Sequence, residues 1–360
     1  MLNVESGKLI AMLVNFPLEI IHKQNIVEGT TFFDDYFETN AGNIILVSGQ
    51  NHSLNFAHLL TQNIARHVIH NIQIGQASTE KLKVEQEFIS ELKPAFIIGI
   101  GGGSVIDFAK QLSLQNDNIL ILAPTIISND GLVSPISVLF HEDKTVSLSS
   151  KMPEIVLLID EIIKKSPEQY LQAAACDILS NLSASNDWKL ASKNNSEQMQ
   201  HLAYQFSQIA ANSVLSCRTF DVNDNSFYRC ILDGQVLSGM AMAFAGSSRP
   251  CSGSEHLISH AIDSLSLAPK VLHGRKIGVI SKFILSIQGV SDKNLSRFFS
   301  RMSVQNEFPG CEAFSYQDLT KLFALARTMR PGRYTILDAF SDSELADIYL
   351  RYVNTQEEER

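Results

Sequence analysis

The sequence predicts an α/β domain with a parallel sheet, followed by an all-helical domain. Over roughly the first 160 residues, continuous apolar runs alternate with helix-like segments, a pattern typical of strands buried on both faces of a parallel sheet. Long helical periodicities replace these runs in the rest of the chain. The 360 residues are enough for about two domains, and we expect an α/β domain over residues 1–164 and a helical domain over residues 165–360.

The elements of the first domain follow from apolar runs and their spacing. Runs rich in β-branched residues predict strands at 43–48, 71–75, 96–103, 118–125 and, in VLLID, 156–160. An apolar period of three to four predicts an amphipathic helix over 79–93, and helices are also expected at 55–68 and 104–114.

The second domain is predicted from three long helical stretches, at 168–192, 197–217 and 294–305. Ser166 and Pro167 stand where the first of these helices would begin, and proline is favoured in the first turn of a helix. The domain boundary is therefore expected just before these two residues.

Composition excludes several classes of protein. Hydrophobic residues make up 45% of the chain and charged residues 19%, which excludes intrinsic disorder. The net charge of −9 and the lack of Lys/Arg runs argue against binding to nucleic acid or an anionic membrane. The chain has no uncharged apolar run of 18 residues, so we expect no membrane span.

The cysteines and the N-terminal segment indicate a cytoplasmic protein. None of the five cysteines lies in a C-x-x-C pair, which argues against a disulfide framework or a structural zinc site and fits a reducing compartment. Segment 9–21 is apolar enough to resemble a signal peptide, but Asn15, Pro17 and Glu19 interrupt it and no cleavage site follows.

A glycine-rich turn predicts a nucleotide-binding loop. Gly101–Ser104 lies between a predicted strand and helix, where glycines permit close approach of a pyrophosphate and the first helical amides can bind it. The polar loop 124–135 follows the next strand, and neighbouring loops at the carboxyl ends of parallel strands form one binding crevice. The alternative is a tight turn at 101–104, with capping and turn roles for the loop's hydroxyl side chains.

A histidine cluster predicts a metal site. His256 and His260 are spaced i, i+4 and share one helix face, and His273 follows closely. Neutral imidazoles that converge can bind a divalent ion. Asp177 lies in a largely apolar helix, where a carboxylate is buried only if it is paired or bound to metal. The alternatives are structural histidines and an aspartate at a helix end or on the surface.

Five segments together resemble the metal-dependent polyol dehydrogenase superfamily, which includes glycerol dehydrogenases, iron-containing alcohol dehydrogenases and dehydroquinate synthase. The segments are GIGGGSVIDFAK, APTIISNDGLVSP, CDILSN, SSRPCSGSEHLISHAID and LHG. With RPGRYTIL at 330–337, the chain resembles the NAD(P)-dependent sn-glycerol-1-phosphate dehydrogenases most closely, over residues 43–340. The resemblance implies a Rossmann-like parallel-sheet domain before an all-α domain, as in dehydroquinate synthase.

The resemblance also implies roles for individual residues. Asp177, His256 and His273 match the metal ligands, with Asp177 also at the substrate. Asp130 and His260 match catalytic, substrate-binding positions. The matching cofactor contacts are Gly101, Gly102, Gly103, Ser104, Val105, Asp107, Thr125, Ser128 and Ser134. For a substrate phosphate, Arg249 is the first candidate, with Arg330 and Arg333 after it, because an arginine fork matches phosphate oxygens.

The implied activity is hydride transfer between NAD(P)H and dihydroxyacetone phosphate to give sn-glycerol 1-phosphate, a step of phospholipid metabolism. Proton delivery is expected through His260 or water. Either cofactor, NAD or NADP, is allowed, because Ser48, Gly49 and Gln50 place no acid after the first strand. One divalent metal is expected, zinc with nickel and iron as alternatives.

Two enzymatic alternatives stay open: a glycerol-type dehydrogenase acting on an unphosphorylated polyol, and a sugar phosphate cyclase like dehydroquinate synthase. The family's usual acid after the last ligand is Arg275 here, and Ser104 replaces a frequent lysine of the glycerol-type enzymes, so the substrate is not fixed by the motifs. A regulatory protein without catalysis is the third alternative. The expected partners are a small-molecule substrate and further copies of the same chain.

Overall fold

The computed structural model describes residues 19–114, 117–142, 144–194, 196–221 and 223–358. Residues 9–18 of the apolar N-terminal segment lie outside this part of the chain. Contacts divide the protein into two units: one runs up to Ile127 and includes Gly131–Pro167, and the other comprises Ser128–Asp130 and the chain from Glu168 onward. The domain division at 164/165 remains a prediction, and it did not anticipate that residues 128–130 pack with the second unit.

A parallel sheet forms the centre of the first unit. Its strands, with those of a separate hairpin, are β1 (Glu19–Lys23), β2 (Ile44–Ser48), β3 (Val68–Gln73), β4 (Phe96–Gly101), β5 (Ile119–Pro124), β6 (Ile136–His141), β7 (Lys144–Ser149) and β8 (Ile155–Ile159). Six strands pair in the order β1-β8-β5-β4-β2-β3, and all their pairings are parallel. Strands β6 and β7 form an antiparallel hairpin.

Helices connect the strands of this unit. They are α1 (Ile26–Thr39), α2 (His52–Thr61), α3 (Thr79–Leu92), α4 (Gly103–Ser113) and the short α5 (Asp160–Ile163), with a 3-10 helix at Gln62–His67. The strands and helices predicted between 43 and 125, and the last strand, are confirmed with small shifts at their ends. The sequence analysis missed β1, α1 and the β6–β7 hairpin.

The apolar runs are buried as a parallel sheet requires. Every residue of β2, β4 and β8 is buried. Phe33 and Phe37 of α1 and Leu60 of α2 join one core cluster with strand residues that include Ile98. A Cβ on Gly99 of β4 would lie 2.8 Å from the Ala109 Cβ, so this glycine lets α4 pack closely on the sheet.

The second unit is helical throughout its described regular elements. Its helices are α6 (Glu168–Leu179), α7 (Asn181–Lys193), α8 (His201–Leu215), α9 (Asn225–Ala245), α10 (Ser254–Ser264), α11 (His273–Ile287), α12 (Lys293–Arg301), α13 (Tyr316–Thr328) and α14 (Asp342–Glu358), with a 3-10 helix at Ile336–Ala339. A further 3-10 helix, Asp130–Leu132, belongs to this unit only at Asp130 and otherwise to the first unit. The predicted fold class is thereby confirmed. The stretch 168–192 forms two helices, and at the end of α6 the Ser180 hydroxyl donates to the Asp177 carbonyl (2.7 Å).

One bonded cysteine pair was not anticipated by the cysteine analysis, which argued only against a disulfide framework. Cys217, just after α8, and Cys230 of α9 are bonded, while Cys176, Cys251 and Cys311 are buried free thiols. The sequence could not indicate the pair because it depends on the packing of α8 against α9. Among the described helices, none combines the length and the apolar character that crossing a bilayer requires.

Candidate active site

Three helices of the second unit bring the predicted metal ligands together. Asp177 lies near the end of α6, His256 in the first turn of α10, and His273 is the first residue of α11. Asp177 Oδ1 lies 3.8 Å from His256 Nε2 and 3.8 Å from His273 Nε2. One ligand atom from each residue lies within 4.8 Å of the others, which is the separation expected of atoms that share one ion.

The state of the Asp177 carboxylate fits a cation. Its Oδ2 accepts a hydrogen bond from the Asp130 backbone N–H at 3.1 Å. Its Oδ1 is buried and accepts no hydrogen bond from the described residues. A buried carboxylate oxygen without a donor is costly, and a bound cation removes that cost. The donor set of one carboxylate and two imidazoles suits zinc, nickel or iron and leaves positions for a substrate.

A close helix contact sets the position of His273. A Cβ on Gly274 would lie 2.1 Å from the Ala173 carbonyl oxygen, so α11 begins directly against the backbone of α6. Only glycine permits this approach, which places His273 beside Asp177. The exposed fraction of the side chains rises from 3% at Asp177 through 13% at His256 to 35% at His273. The ligand atoms are therefore most accessible on the His273 side.

Burial and neighbouring charge shift the pKa values of the ligands. Burial, with the nearby Asp130 carboxylate, raises the pKa of Asp177 to about 7. Burial alone would lower the pKa of His256, but its hydrogen bond to Glu255 and the charges of Glu255 and Asp177 raise it. Burial and the positive charge of His256 hold the pKa of His273 well below its usual range. In the metal-free protein, protons therefore occupy part of the ligand set near neutral pH.

His260 lies beside the ligands, with its ring centroid 6.3 Å from that of His256. Burial, then the charges of His256 and Arg330, lowers the pKa of His260 to about 3. The sequence analysis expected proton delivery through His260 or water, and this lowered pKa keeps the His260 ring neutral at neutral pH. A neutral His260 can orient or relay a proton, but it holds no ionisable proton of its own at neutral pH.

Asp130 is placed by two hydrogen bonds within the second unit. Its own amide donates to Asp177, and Gln235 of α9 donates from Nε2 to the carbonyl of the preceding Asn129 at 2.6 Å. The predicted substrate-contacting aspartate is therefore tied to the metal ligand through the backbone. Ser128, predicted to contact the cofactor, belongs to the same three-residue segment.

The three candidate arginines differ in their partners. Arg249 is buried. Its Nε donates to Glu197 (2.7 Å) and its Nη2 donates to the Tyr334 carbonyl. Its Nη1 is also buried and has no hydrogen-bond partner among the described residues. Arg333 bonds to Ser252 and Ser248, and burial with the charge of Arg330 lowers its pKa to about 10.

The Arg330 side chain makes no ion pair or hydrogen bond with another described residue, whereas its backbone carbonyl accepts a hydrogen bond from the Arg333 amide at 3.2 Å. It is half-buried, and burial lowers its pKa. Its charge is close enough to lower the pKa values of both His260 and Arg333. Arg249, Arg330 and Arg333 thus concentrate positive charge beside His260 in a chain that is acidic overall. Among the described residues, Glu197 is the one carboxylate that bonds to any of these three arginines.

The glycine-rich turn begins α4 in the first unit. A Cβ on Gly101 would lie 2.5 Å from a Val105 methyl carbon, so packing explains this glycine. A Cβ on Gly102 or Gly103 would meet nothing within 4 Å. Packing therefore does not explain why these two residues lack side chains, whereas a ligand lying on the turn would. Ser104 is exposed at the same helix start.

Four of the remaining predicted cofactor residues make contacts within the first unit. The Val105 side chain is buried and its amide bonds to the Gly102 carbonyl, which argues against a cofactor contact. Ser134 is buried and bonds to Lys110 and the Ile136 carbonyl, which gives it a structural role. Asp107 lies 3.8 Å from Lys110. Thr125 lies 3.3 Å from the Ser53 hydroxyl.

Comparisons with known proteins agree with this geometry. Residues 24–167 match the family model described as iron-containing alcohol dehydrogenase. A protein of Thermococcus sibiricus named glycerol-1-phosphate dehydrogenase (NAD(P)+) is 33% identical over 273 residues, 75% of this chain and 77% of its own length. The chain belongs to the glycerol-1-phosphate dehydrogenase family. A family member from Saccharolobus solfataricus is 29% identical over 296 residues, 81% of this chain and 84% of its own length.

Solved structures show the same fold. The crystal structure of a probable glycerol dehydrogenase from Sinorhizobium meliloti 1021 has a TM-score of 0.74 at 15% identity and covers 96% of this chain and 98% of its own. Membership of the glycerol-1-phosphate dehydrogenase family makes the chain an oxidoreductase. Glu255, which bonds to His256, was missed in the sequence analysis, although a carboxylate directly before a predicted ligand on a buried helix face is a signal for it.

Proposed function

We propose that the chain catalyses reversible hydride transfer between NAD(P)H and dihydroxyacetone phosphate, giving sn-glycerol 1-phosphate, with Asp177, His256 and His273 as the ligands of one divalent metal. The observation that carries the proposal is the buried Asp177 Oδ1, which has no hydrogen-bond donor among the described residues and lies 3.8 Å from two histidine nitrogens. Names of curated family members support the substrate.

The chain's own groups position the reactants. When bound, the divalent cation supplies a Lewis acid for the C2 carbonyl, and the nicotinamide supplies the hydride. The Asp130 amide fixes Oδ2 of Asp177 and so turns Oδ1 toward the two histidines. Neutral His260 lies beside them and relays the solvent proton that the C2 oxygen gains on reduction.

Arg330 is proposed as the main phosphate contact, instead of Arg249. Arg249 holds Glu197 and the Tyr334 carbonyl, so much of its fork is used inside the protein. The Arg330 side chain is half-buried and has no hydrogen-bond or ion-pair partner among the described residues, and its burial makes an anion a favourable ligand. Arg333 adds positive charge next to it.

The cofactor pyrophosphate is proposed to lie on Gly102, Gly103 and Ser104. The open space above the two glycines and the outward amides at the start of α4 support this placement. Strand β2 ends at Ser48, followed by Gly49 and Gln50, so there is no acid that would exclude a 2′-phosphate. Both NAD and NADP are therefore proposed as cofactors.

The first experiment follows NADH and NADPH oxidation by the purified protein with dihydroxyacetone phosphate and with dihydroxyacetone. We expect net oxidation with the phosphorylated ketone, loss of activity after chelation, and its return with added Zn²⁺. Preference for dihydroxyacetone would favour the glycerol-type enzyme. Turnover of a sugar phosphate without net oxidation would favour the cyclase.

The second experiment compares Arg330→Gln with Arg249→Gln on the same two substrates. Loss of a charge-assisted phosphate contact by Arg330 should cost about 2 kcal/mol, roughly 30-fold in kcat/KM, with dihydroxyacetone phosphate only. Arg249→Gln should impair stability and lower activity on both ketones, because it removes the ion pair of a buried arginine with the partly exposed Glu197. A loss limited to dihydroxyacetone phosphate in Arg249→Gln, and not in Arg330→Gln, would identify Arg249 as the phosphate contact.

The finer assignments rest on general chemistry. Zinc is proposed as the metal because one carboxylate and two imidazoles suit it, and metal analysis of the purified protein tests this.

Assembly as a homo-oligomer is proposed from Leu202 and Ile209, which are about half exposed on α8, and sedimentation tests it. A cytoplasmic role in phospholipid metabolism is proposed because NAD(P)H and dihydroxyacetone phosphate are intracellular metabolites, and fractionation tests the location.

A further inference from the structure

Glu255 is a fully buried carboxylate in the first turn of α10, directly before the ligand His256. Its Oε1 accepts a hydrogen bond from the Gly253 amide and lies 2.8 Å from His256 Nδ1. Its Oε2 accepts a hydrogen bond from the Ser183 hydroxyl of α7 at 2.8 Å. Each oxygen of the Glu255 carboxylate thus has a hydrogen-bond donor other than the His256 imidazole, so the position of Glu255 does not depend on His256.

These contacts decide which nitrogen of His256 can bind a metal. Nδ1 faces the Glu255 carboxylate, and an ionised carboxylate accepts a hydrogen bond from Nδ1–H but has no proton to donate. Nε2 is the nitrogen that faces Asp177 Oδ1. An imidazole that donates from Nδ1 keeps its lone pair on Nε2, where the metal is expected.

We propose that Glu255 is a positioning residue that fixes the ring orientation and tautomer of His256 and thereby strengthens metal binding. The inference rests on the proposed function, because it takes Asp177, His256 and His273 as the ligands. Glu255 also adds a second negative charge to that of Asp177 close to the expected divalent cation. The Gly253 amide and the Ser183 hydroxyl each donate to one oxygen of Glu255, an arrangement that favours the ionised carboxylate.

The surrounding backbone is built to hold this carboxylate in place. A Cβ on Gly253 would lie 2.6 Å from Asp187 Oδ2, 2.8 Å from the Ala184 Cα and 3.0 Å from Glu255 Oε2. Glycine is therefore required where the chain enters α10 between two buried carboxylates and the α7 backbone.

Asp187, the second of these carboxylates, accepts hydrogen bonds from the amides of Ser254 and Ile336 and from Gln288. No hydrogen bond or ion pair joins it to His256 among the described residues. Asp187 is therefore a buried acid of the same cluster that lacks the contact under test, and it offers a matched control.

The test measures metal affinity in the full chain. Zn²⁺ and Co²⁺ dissociation constants are determined by competition with a chromophoric chelator for the wild type, Glu255→Gln and Asp187→Asn, with the thermal midpoint of each. For Glu255→Gln we expect 10–100-fold weaker binding, the usual cost of losing an outer-shell partner, and an altered visible spectrum of bound Co²⁺. For Asp187→Asn we expect a lower thermal midpoint with metal affinity and Co²⁺ spectrum close to wild type.

Two results would overturn the inference: wild-type affinity and spectrum in Glu255→Gln, or equal weakening in both variants, which would indicate a general effect of the buried cluster. If Glu255→Gln does not fold, nitrogen-15 NMR of the zinc-loaded wild type decides, with a proton expected on Nδ1 of His256 and a proton on Nε2 contradicting it. If the wild type binds no metal, the proposed function fails first, so the two failures are distinguishable.

Discussion

The contact between Gly274 and α6 makes a quantitative test of the metal site. In Gly274→Ala the new Cβ would lie 2.1 Å from the Ala173 carbonyl oxygen and 2.6 Å from its carbonyl carbon. An ordinary C···O contact is about 3.3 Å or more, so the start of α11 must move by about 1 Å. Alanine has the better helix propensity by at most about 1 kcal/mol, whereas overpacking against backbone costs about 1–3 kcal/mol. The clash therefore outweighs the propensity.

That displacement falls on His273, the residue before Gly274. Metal–ligand distances tolerate about 0.2 Å, so a shift of about 1 Å removes His273 from the coordination sphere. We expect metal affinity to fall by about 10²-fold or more, equivalent to about 2.7 kcal/mol, and kcat/KM to fall at least as far. The assay is chelator competition with Zn²⁺, with the thermal midpoint measured in parallel.

Gly289→Ala is the matched control. Gly289 follows the same helix, has a φ of +73° and has nothing within 4 Å of an added Cβ. The substitution strains the backbone by about 1–2 kcal/mol without pressing α11 onto α6. It should lower the thermal midpoint and leave metal affinity intact. Wild-type metal affinity in Gly274→Ala, or equal losses in both variants, would refute the claim that this contact positions His273.

Two further predictions concern the proton and the cofactor. The pKa of Asp177 is raised to about 7 in the metal-free protein, and metal binds only the ionised carboxylate, so Zn²⁺ affinity should weaken as pH falls from 8 to 6 and protons should be released on binding. Calorimetry in buffers of different ionisation enthalpy measures the released protons. A Zn²⁺ affinity that does not change with pH would contradict this prediction. Gly102→Val places a side chain in the open space above the glycine-rich turn, so the variant should fold normally. It should bind NAD(P)H at least about tenfold more weakly, measured by fluorescence titration. Unchanged binding would mean that the turn has only a structural role.

The parts of the fold that the sequence predicted are those with an unambiguous apolar period. β2, β4 and β8 are continuous apolar runs, and burial on both faces makes such runs distinctive. β1 is half polar in sequence, and its pairing with β8 depends on residues more than 130 positions away. β6 mixes buried and exposed positions, and β7 has only half-buried and exposed ones. Local periodicity does not determine such partners.

Residue types predicted a metal site, whereas the choice of Asp177, His256 and His273 as its ligands came from the family resemblance. A histidine pair on one helix face and a carboxylate in an apolar helix are unusual enough to attract attention, and the structure brings Asp177, His256 and His273 together. Their role as ligands stays a prediction until metal is measured. The arginines show the limit of this reasoning, since the sequence does not reveal that Glu197, 52 residues from Arg249, bonds to it.

Glu255 shows why the surroundings of a site are harder to predict than its ligands. On sequence alone it is an ordinary acid in the first turn of a helix, where carboxylates are common because they favour the helix dipole. Its distinguishing property is complete burial, which follows from Ser183 on another helix and from the Gly253 turn. Burial converts a weak dipole interaction into a directed contact with His256 Nδ1, because water no longer competes for the carboxylate. The helix packing that brings Asp177, His256 and His273 together therefore also places Glu255 for its proposed role, and the proposed ligand strength of His256 depends on the packed unit.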